Sequence, residues 1–256
     1  MKLSRRIALN NNQLDAVDPS IVIRSFDPGT PQEAVQTAQL MGGAGSRITS
    51  AHFNLIEAVV TYAINIHRDI QARRAVYDAV CEWARGLGWL TTNIMPDRQL
   101  NVEKVEIESM GDPREWSKEF KITFRAYRVP FWQDAEEDEE TVASISSGDV
   151  TVSVGGTAET PLDIYFENTS GSSCANISFS INGNTLAFNG INLANGATLA
   201  ITHGTDGLMK AKVGSSSVYG VMTGGDDLWA KPGSNTLAVS ASGAGELTIT
   251  SRGRYV

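Results

Sequence analysis

Residues 127–140 read YRVPFWQDAEEDEE, and that stretch divides the chain. A polar–apolar alternation arrives through "EFKITFRAY", Pro130 interrupts it, two aromatics follow, and six of the seven residues after Gln133 are acidic. Proline cannot donate to a sheet ladder, so a strand has to end there. An uninterrupted acidic run repels itself and stays solvated. Composition steps at the same place. Residues 1–134 carry 16 Lys/Arg, 16 Asp/Glu and 7 glycines, whereas residues 135–256 carry 5, 13 and 17, so the second segment supplies the whole net charge of −8. These coincident steps predict two domains, 1–134 and 141–256, with an acidic junction over 135–140. Pro130, Phe131 and Trp132 are the candidate domain junction. The two aromatics are expected to bury at the base of the second domain, and the acidic run to serve as an exposed linker or sheet-edge guard.

The first domain reads as α+β. "LSRRIALNNNQLD" predicts a short hairpin turning on its asparagines, which tolerate the left-handed region. "FDPGTPQEAVQTAQLMGGAGSRITS" predicts a long loop with at most a helical turn around Pro31–Met41. "VVTYAINIH" alternates, with Val60, Tyr62, Ile64 and Ile66 on one face of a half-buried strand. Val76, Ala79, Val80, Trp83 and Ala84 recur at helical spacing, which predicts a helix over 69–86. Arg73, Arg74, Asp78, Glu82 and Arg85 fall mostly on the other side, and Gly86 and Gly88 stop it. Two strands around a Met-Pro-Asp turn at 95–97 follow. "EFKITFRAY" supplies another, with Phe120, Ile122, Phe124 and Ala126 inward. The second domain is a succession of short β-rich runs punctuated by Gly, Asn, Ser or Asp. That pattern predicts a sandwich or jelly roll of about eight strands.

The sequence offers little chemistry. No apolar run approaches the ~20 residues of a membrane span. The first residues contain no apolar core of a secretory signal, so synthesis in the cytoplasm is expected. Cys81 and Cys174 fit no metal or redox spacing and read as free thiols. His52, His67 and His203 have no ligand at metal spacing and read as ordinary surface or strand-end histidines. "MGGAGS" precedes no helix and holds no lysine, so it reads as a flexible loop. "DAEEDEE" lacks the alternation of a calcium loop. "NTS" at 168–170 and "NIS" at 176–178 mean no more than turn chemistry. In "GDDLWAKPGSN", Trp229 beside Asp226 and Asp227 resembles a sugar platform. The competing reading closes the sandwich end with Leu228 and Trp229 while "KPGSN" turns the chain. No nucleophile–base arrangement is present. The expectation is a non-enzyme without catalytic, cofactor or metal residues. The acidic, Gly-rich second half also argues against nucleic-acid binding.

The order of segments carries a resemblance. "RDIQARRAVYDAVCEWARGLGWLTT" is followed by "PDRQLNV" and by "EFKITFRAYRVPFWQD"; then come "ETPLDIYFEN", "LANGATLAITH" and "LWAKPGSNTLAVSASGAGELTITSRGRYV". Over most of residues 50–256 this resembles the distal tail proteins of long-tailed bacteriophages, the siphovirus-type tail components. The resemblance implies a tail-tube-like β domain with one main helix that closes into a homo-hexameric ring, and an outward galectin-like β-sandwich. It implies a structural virion protein at the tail tip, assembled in the bacterial host cytoplasm. Such a protein adapts the tail tube to the baseplate and adsorption apparatus. The implied partners are the tail-tube protein, the tail hub or tail-associated lysin, and receptor-binding proteins. A carbohydrate-binding module for host attachment is the alternative. Galectin-type sites cluster His, Asn, Arg, Trp and Glu on neighbouring strands, whereas here His203 and Trp229 stand apart in the sequence.

Overall fold

The alternation around Val60 builds the strand it predicts, and that strand organises the first half of the molecule. In the computed structural model, which describes residues 5–39, 46–224 and 227–256, the chain divides between Trp132 and Gln133. The first unit is Met1–Trp132 with Val256, and the second is Gln133–Tyr255.

The first unit contains β1 (Ile7–Leu9), β2 (Asn12–Gln13), β3 (Ile21–Asp27), β4 (Gln32–Gln39), β5 (Ser46–Ile64), α1 (Ile70–Ala84), β6 (Gly88–Thr92), β7 (Met95–Val102), β8 (Lys104–Ile107) and β9 (Glu119–Ala126). One antiparallel sheet runs β3-β5-β9-β8, and β4 pairs with the first half of β5. A second sheet holds β2, β1, β6 and β7 in that order. Ile56, Ala58, Val60, Tyr62 and Ile64 are buried along β5, as are Phe120, Ile122, Phe124 and Ala126 along β9. The register sets Tyr62 opposite Phe120 and Ala58 opposite Phe124, so one face of both strands forms the core.

The helix covers that face. Asp69 caps it, its carboxylate accepting the Ala72 amide at 2.9 Å, which satisfies one of the donors a first turn leaves open. Val76, Val80 and Ala84 face inward; Tyr77 meets Phe120 at 5.6 Å, and Trp83 stands edge-on to Phe124 at 6.2 Å. Arg73 departs from the expected polar side. It is 1 % exposed, and its guanidinium lies 5.4 Å from the Trp116 ring and 5.6 Å from the Phe120 ring. Spacing places it on the buried stripe with Val76, Val80 and Ala84, and the aromatic faces accept its charge.

Two local expectations differ from the structure. The segment expected as a loop around Pro31–Met41 contains β4, which forms a long ribbon with the start of β5. Its partner strand supplies hydrogen bonds that no local signal announces. "MGGAGS" lies mostly outside the described residues. The turn expected at Met95-Pro96-Asp97 sits at Asn93–Ile94 instead, with Pro96 inside β7. The asparagine hairpin forms as read, with Asn10 and Asn11 at φ 51° and 66°.

The second unit begins at β10 (Trp132–Asp134), which straddles the division. It continues with β11 (Asp138–Val154), β12 (Thr160–Pro161), β13 (Asp163–Asn168), β14 (Cys174–Ile181), β15 (Asn184–Leu193), β16 (Thr198–His203) and β17 (Met209–Val213). Then follow β18 (Ser216–Ser217), β19 (Met222–Thr223), β20 (Trp229–Ala230), β21 (Gly233–Ser251) and β22 (Arg254–Tyr255). Where short punctuated runs were expected, Gly233–Ser251 is one 19-residue strand. Its C-terminal half pairs with β13 and its N-terminal half with β14, while β11 follows it along both. The β11–β21 register slips between Val142 and Ile145 and again between Ile145 and Ser147. Bulges of this kind let a strand pass from one sheet of a sandwich to the other. Gly245 marks the bend: a Cβ there would lie 2.3 Å from the Phe166 ring and 2.5 Å from the Glu167 carbonyl. Phe166 and Phe179 meet edge-on at 6.5 Å within a single core that includes residues of β11, β13–β17 and β21.

The acidic run is divided by this arrangement. Asp138, Glu139 and Glu140 are not linker but the exposed start of β11, paired with Ser251, Thr250 and Ile249. Among the described pairings β11 has β21 as its sole partner, so these carboxylates lie on a sheet edge, where like charge discourages pairing with another chain.

Burial of tyrosine sets an alkaline limit. The Tyr62 hydroxyl is buried without a hydrogen-bond partner, and burial pushes its pKa well up; Tyr77 is pushed up to about 12, by burial first and then by its bond to Cys81. A folded-state pKa above the unfolded ~10 gives stability that is complete below that value and lost as pH rises past it. Tyr62→Phe is therefore expected to match or exceed the wild type in thermal midpoint at about pH 8. It should also lose less than the wild type between about pH 10 and 12. A lower midpoint at neutral pH would show that the hydroxyl is satisfied.

Candidate functional site

The junction residues form a defined packing site. Trp132 is 4 % exposed; its indole N–H donates to the Pro28 carbonyl at 2.9 Å and its ring stands edge-on to Phe26 at 6.1 Å. Phe131 meets Phe53 edge-on at 5.2 Å. Pro130, also buried, follows β9 and stops the alternation before the two rings turn inward. These contacts belong to the first unit, where β3, the Pro28 turn and β5 receive both rings. The sequence reading expected both rings at the base of the second domain; they pack instead against residues of the first unit.

On the second unit the start is tied to the end. The Asp134 amide donates to the Gly253 carbonyl at 3.0 Å, and the Tyr255 hydroxyl donates to the Asp134 carboxylate at 2.7 Å. Arg252 donates to the Asp134 and Ala135 carbonyls at 3.1 and 2.8 Å and pairs with Glu137 at 3.0 Å.

The proposed ligand platform is arranged differently from an open stacking surface. Asp226 lies outside the described residues. Trp229 pairs through β20 with Pro161 of β12, and its carbonyl accepts from the Asn182 amide at 2.9 Å. The Arg254 guanidinium stands 5.1 Å from the Trp229 ring centre, with its pKa pushed down to about 10 by burial. A cation already occupies a position over that ring. Leu228 is buried beside it. Asn235 forms the "KPGSN" turn, accepting from the Lys231 amide at 2.9 Å and donating to the Lys231 carbonyl at 2.7 Å.

Asp227 faces a histidine. The His203 side chain is 6 % exposed, contrary to an ordinary strand-end histidine. Both its backbone N–H and its ring Nδ1 lie 2.8 Å from one Asp163 carboxylate oxygen, and Nε2 lies 3.7 Å from Asp227 Oδ2. Strand pairing between β13 and β16 brings Asp163 and His203 together from positions 40 residues apart, which no sequence spacing could signal. Among the described residues no group of three or more His, Cys, Asp or Glu side chains is arranged to hold a metal. His52 and His67 are exposed, Cys81 and Cys174 are free thiols, and Asn168 of "NTS" is buried, donating to the Ser172 and Leu193 carbonyls at 2.7 and 2.8 Å.

Two further surfaces stand out. The β4–β5 ribbon exposes Val35 (46 %), Ile48 (60 %) and Phe53 (37 %). Its register sets Phe53 opposite Glu33, Ala51 opposite Val35 and Ile48 opposite Thr37, so these side chains share one face. On the second unit, Asn176, Ser178, Asn189, Ser240 and Ser242 line an open groove of about 310 Å³ that contains no aromatic or charged side chain.

If the Trp132 contacts hold the end of the first unit in place, Trp132→Ala is expected to cost about 3–5 kcal/mol of that unit's stability. Chemical denaturation followed by near-ultraviolet circular dichroism reads this, and a loss no larger than that of a surface control would mean the pocket collapses around the gap.

No family model matches the sequence, and no curated protein matches it. Solved structures do. The Dit protein of phage SPP1, described as a paradigm of the hub adsorption apparatus in phages infecting Gram-positive bacteria, aligns over 96 % of this chain and 98 % of its own. The TM-score is 0.65 at 12 % identity. A chain of the phage P2 baseplate in its activated conformation with Ca aligns over 96 % of this chain and 97 % of its own at 13 % identity, with a TM-score of 0.40. The chain has the fold of a phage distal tail protein, the family that the order of its segments resembles.

Proposed function

We propose that this chain is a structural protein of a phage tail tip, a ring-forming adaptor between the tail tube and the adsorption apparatus. The observation that carries this reading is the alignment with SPP1 Dit, which runs through both units rather than through a single sheet. An isolated two-stranded ribbon is marginally stable in water, and one with an apolar face calls for a cover. The β4–β5 ribbon has such a face in Val35, Ile48 and Phe53. A second copy of the chain is a suitable cover, and the same contact repeated head to tail closes a ring. The resemblance sets the number at six.

"VVTYAINIH" and "EFKITFRAY" are not free edges, because β5 and β9 pair with each other and β5 also pairs with β3, β9 with β8. The ribbon and the outer strands β3 and β8 are left to meet a neighbour. Assembly through the first unit leaves the sandwich to carry adhesion parts. The tube protein, the tail hub or tail-associated lysin and the receptor-binding proteins are the corresponding partners. No enzymatic role enters this reading.

Mass measurement on the purified full chain tests it. The wild type is expected to populate a closed oligomer at micromolar concentration, and Ile48→Glu to shift it to monomer with an unchanged far-ultraviolet spectrum. A wild type that remains monomeric at every concentration, or a variant that assembles as well as the wild type, would count against the ring.

A further inference from the structure

Arg73 is 1 % exposed, and two of its guanidinium nitrogens, Nε and Nη1, are buried without a hydrogen-bond partner. A guanidinium keeps its proton inside a protein, so a full charge has left water with donors unmet, which is costly. The Trp116 and Phe120 faces offset part of that cost and accept no conventional hydrogen bond from it. The two rings differ in footing. Phe120 is a fully buried residue of β9, whereas Trp116 belongs to the connection 108–118 between β8 and β9, in which no residue is buried. That connection is held mainly by its own turns. The Glu115, Trp116 and Lys118 amides donate to the Asp112, Arg114 and Glu115 carbonyls at 3.1, 3.0 and 3.1 Å. Lys118 Nζ donates to the Ser109 carbonyl at 2.9 Å, across its base. Toward α1 it offers the Glu108 carbonyl, which accepts from the Tyr77 hydroxyl at 2.9 Å, and the Trp116 ring beside Arg73.

We propose that residues 109–117 are a lid over Arg73 that opens without unfolding the first unit, and that the unpaired Arg73 charge keeps its closed and open states close in free energy. Opening lifts Trp116 from the guanidinium and lets water reach Nε and Nη1, while Phe120, β9 and α1 stay in place. Closing restores the ring contact and buries the charge again. The exchange is one cation–ring contact against hydration of charged donors, so neither state wins by much. A cover without a buried residue has little else to hold it shut. The lid lies within the first unit, and this inference does not depend on the ring.

Fluorine NMR of the full chain labelled with 5-fluorotryptophan tests it, the Trp116 line being assigned with Trp116→Phe. In the wild type that line should show microsecond-to-millisecond exchange with a water-exposed environment, and the line of Trp132, which is 4 % exposed, should not. Arg73→Met keeps the length of the side chain without its charge and should lower the open population at least about tenfold. Arg73→Lys keeps a charge and should not lower it. Exchange of the Arg73 Nε proton with water supplies a second readout that needs no change at Arg73. It should be faster than exchange of the Ile122 amide in β9, and Trp116→Ala should accelerate it at least about tenfold while leaving Ile122 unchanged. A Trp116 line as quiet as that of Trp132, an open population unchanged in Arg73→Met or lowered equally in Arg73→Lys, or an Nε proton that exchanges only as fast as the Ile122 amide would overturn the lid.

Discussion

Two strands longer than their domains can contain impose the architecture. β5 and β21 each have 19 residues. At ~3.3 Å per residue such a strand spans about 60 Å, roughly twice the ~30 Å of a small domain. Main-chain donors and acceptors along that length have to be paired or left in water. The chain meets this constraint in two ways. β5 gives one half to the core sheet, between β3 and β9, and the other half to a ribbon with β4. β21 bends instead, and serves β13 with one half and β14 with the other while β11 follows it throughout.

Glycine accounts for part of the difference. Around Gly243 and Gly245 the chain approaches Ser170 and Phe166 too closely for a side chain, and the bend falls in this region. β5 contains no glycine at all. A strand without such a hinge continues outward, and its ribbon exposes apolar side chains rather than folding them in. The exposed face of Val35, Ile48 and Phe53 is thus a consequence of the same constraint that shapes β21.

Buried polar side chains in this protein are met by rings and by distant carboxylates. Arg73 sits near two aromatic rings, Arg254 stands over Trp229, and His203 is held by an aspartate from a neighbouring strand. Each arrangement converts an apparently polar position into an interior one. That is why the amphipathic reading of α1 left Arg73 outside, and why Trp229 beside two acidic residues looked like an open platform.

The sequence by itself determined the elements whose cause is local. The alternation of β9, the stripe and cap of α1, the asparagine hairpin at 10–11 and the strand-ending Pro130 are all read within a few residues, because burial on one face and left-handed turns leave their mark at short range. The step in charge and glycine after residue 134 lies close to the division between Trp132 and Gln133. Tertiary structure alone decided what pairs with what. β4 has no alternating apolar face, and becomes a strand because β5 lies alongside it. "NTLAVSAS" and "ELTITSRG" join into β21 because β11 bridges the glycines between them. Asp163, His203 and Asp227 meet because strand order brings them together, and strand order depends on hydrogen bonds between segments that the linear sequence keeps apart.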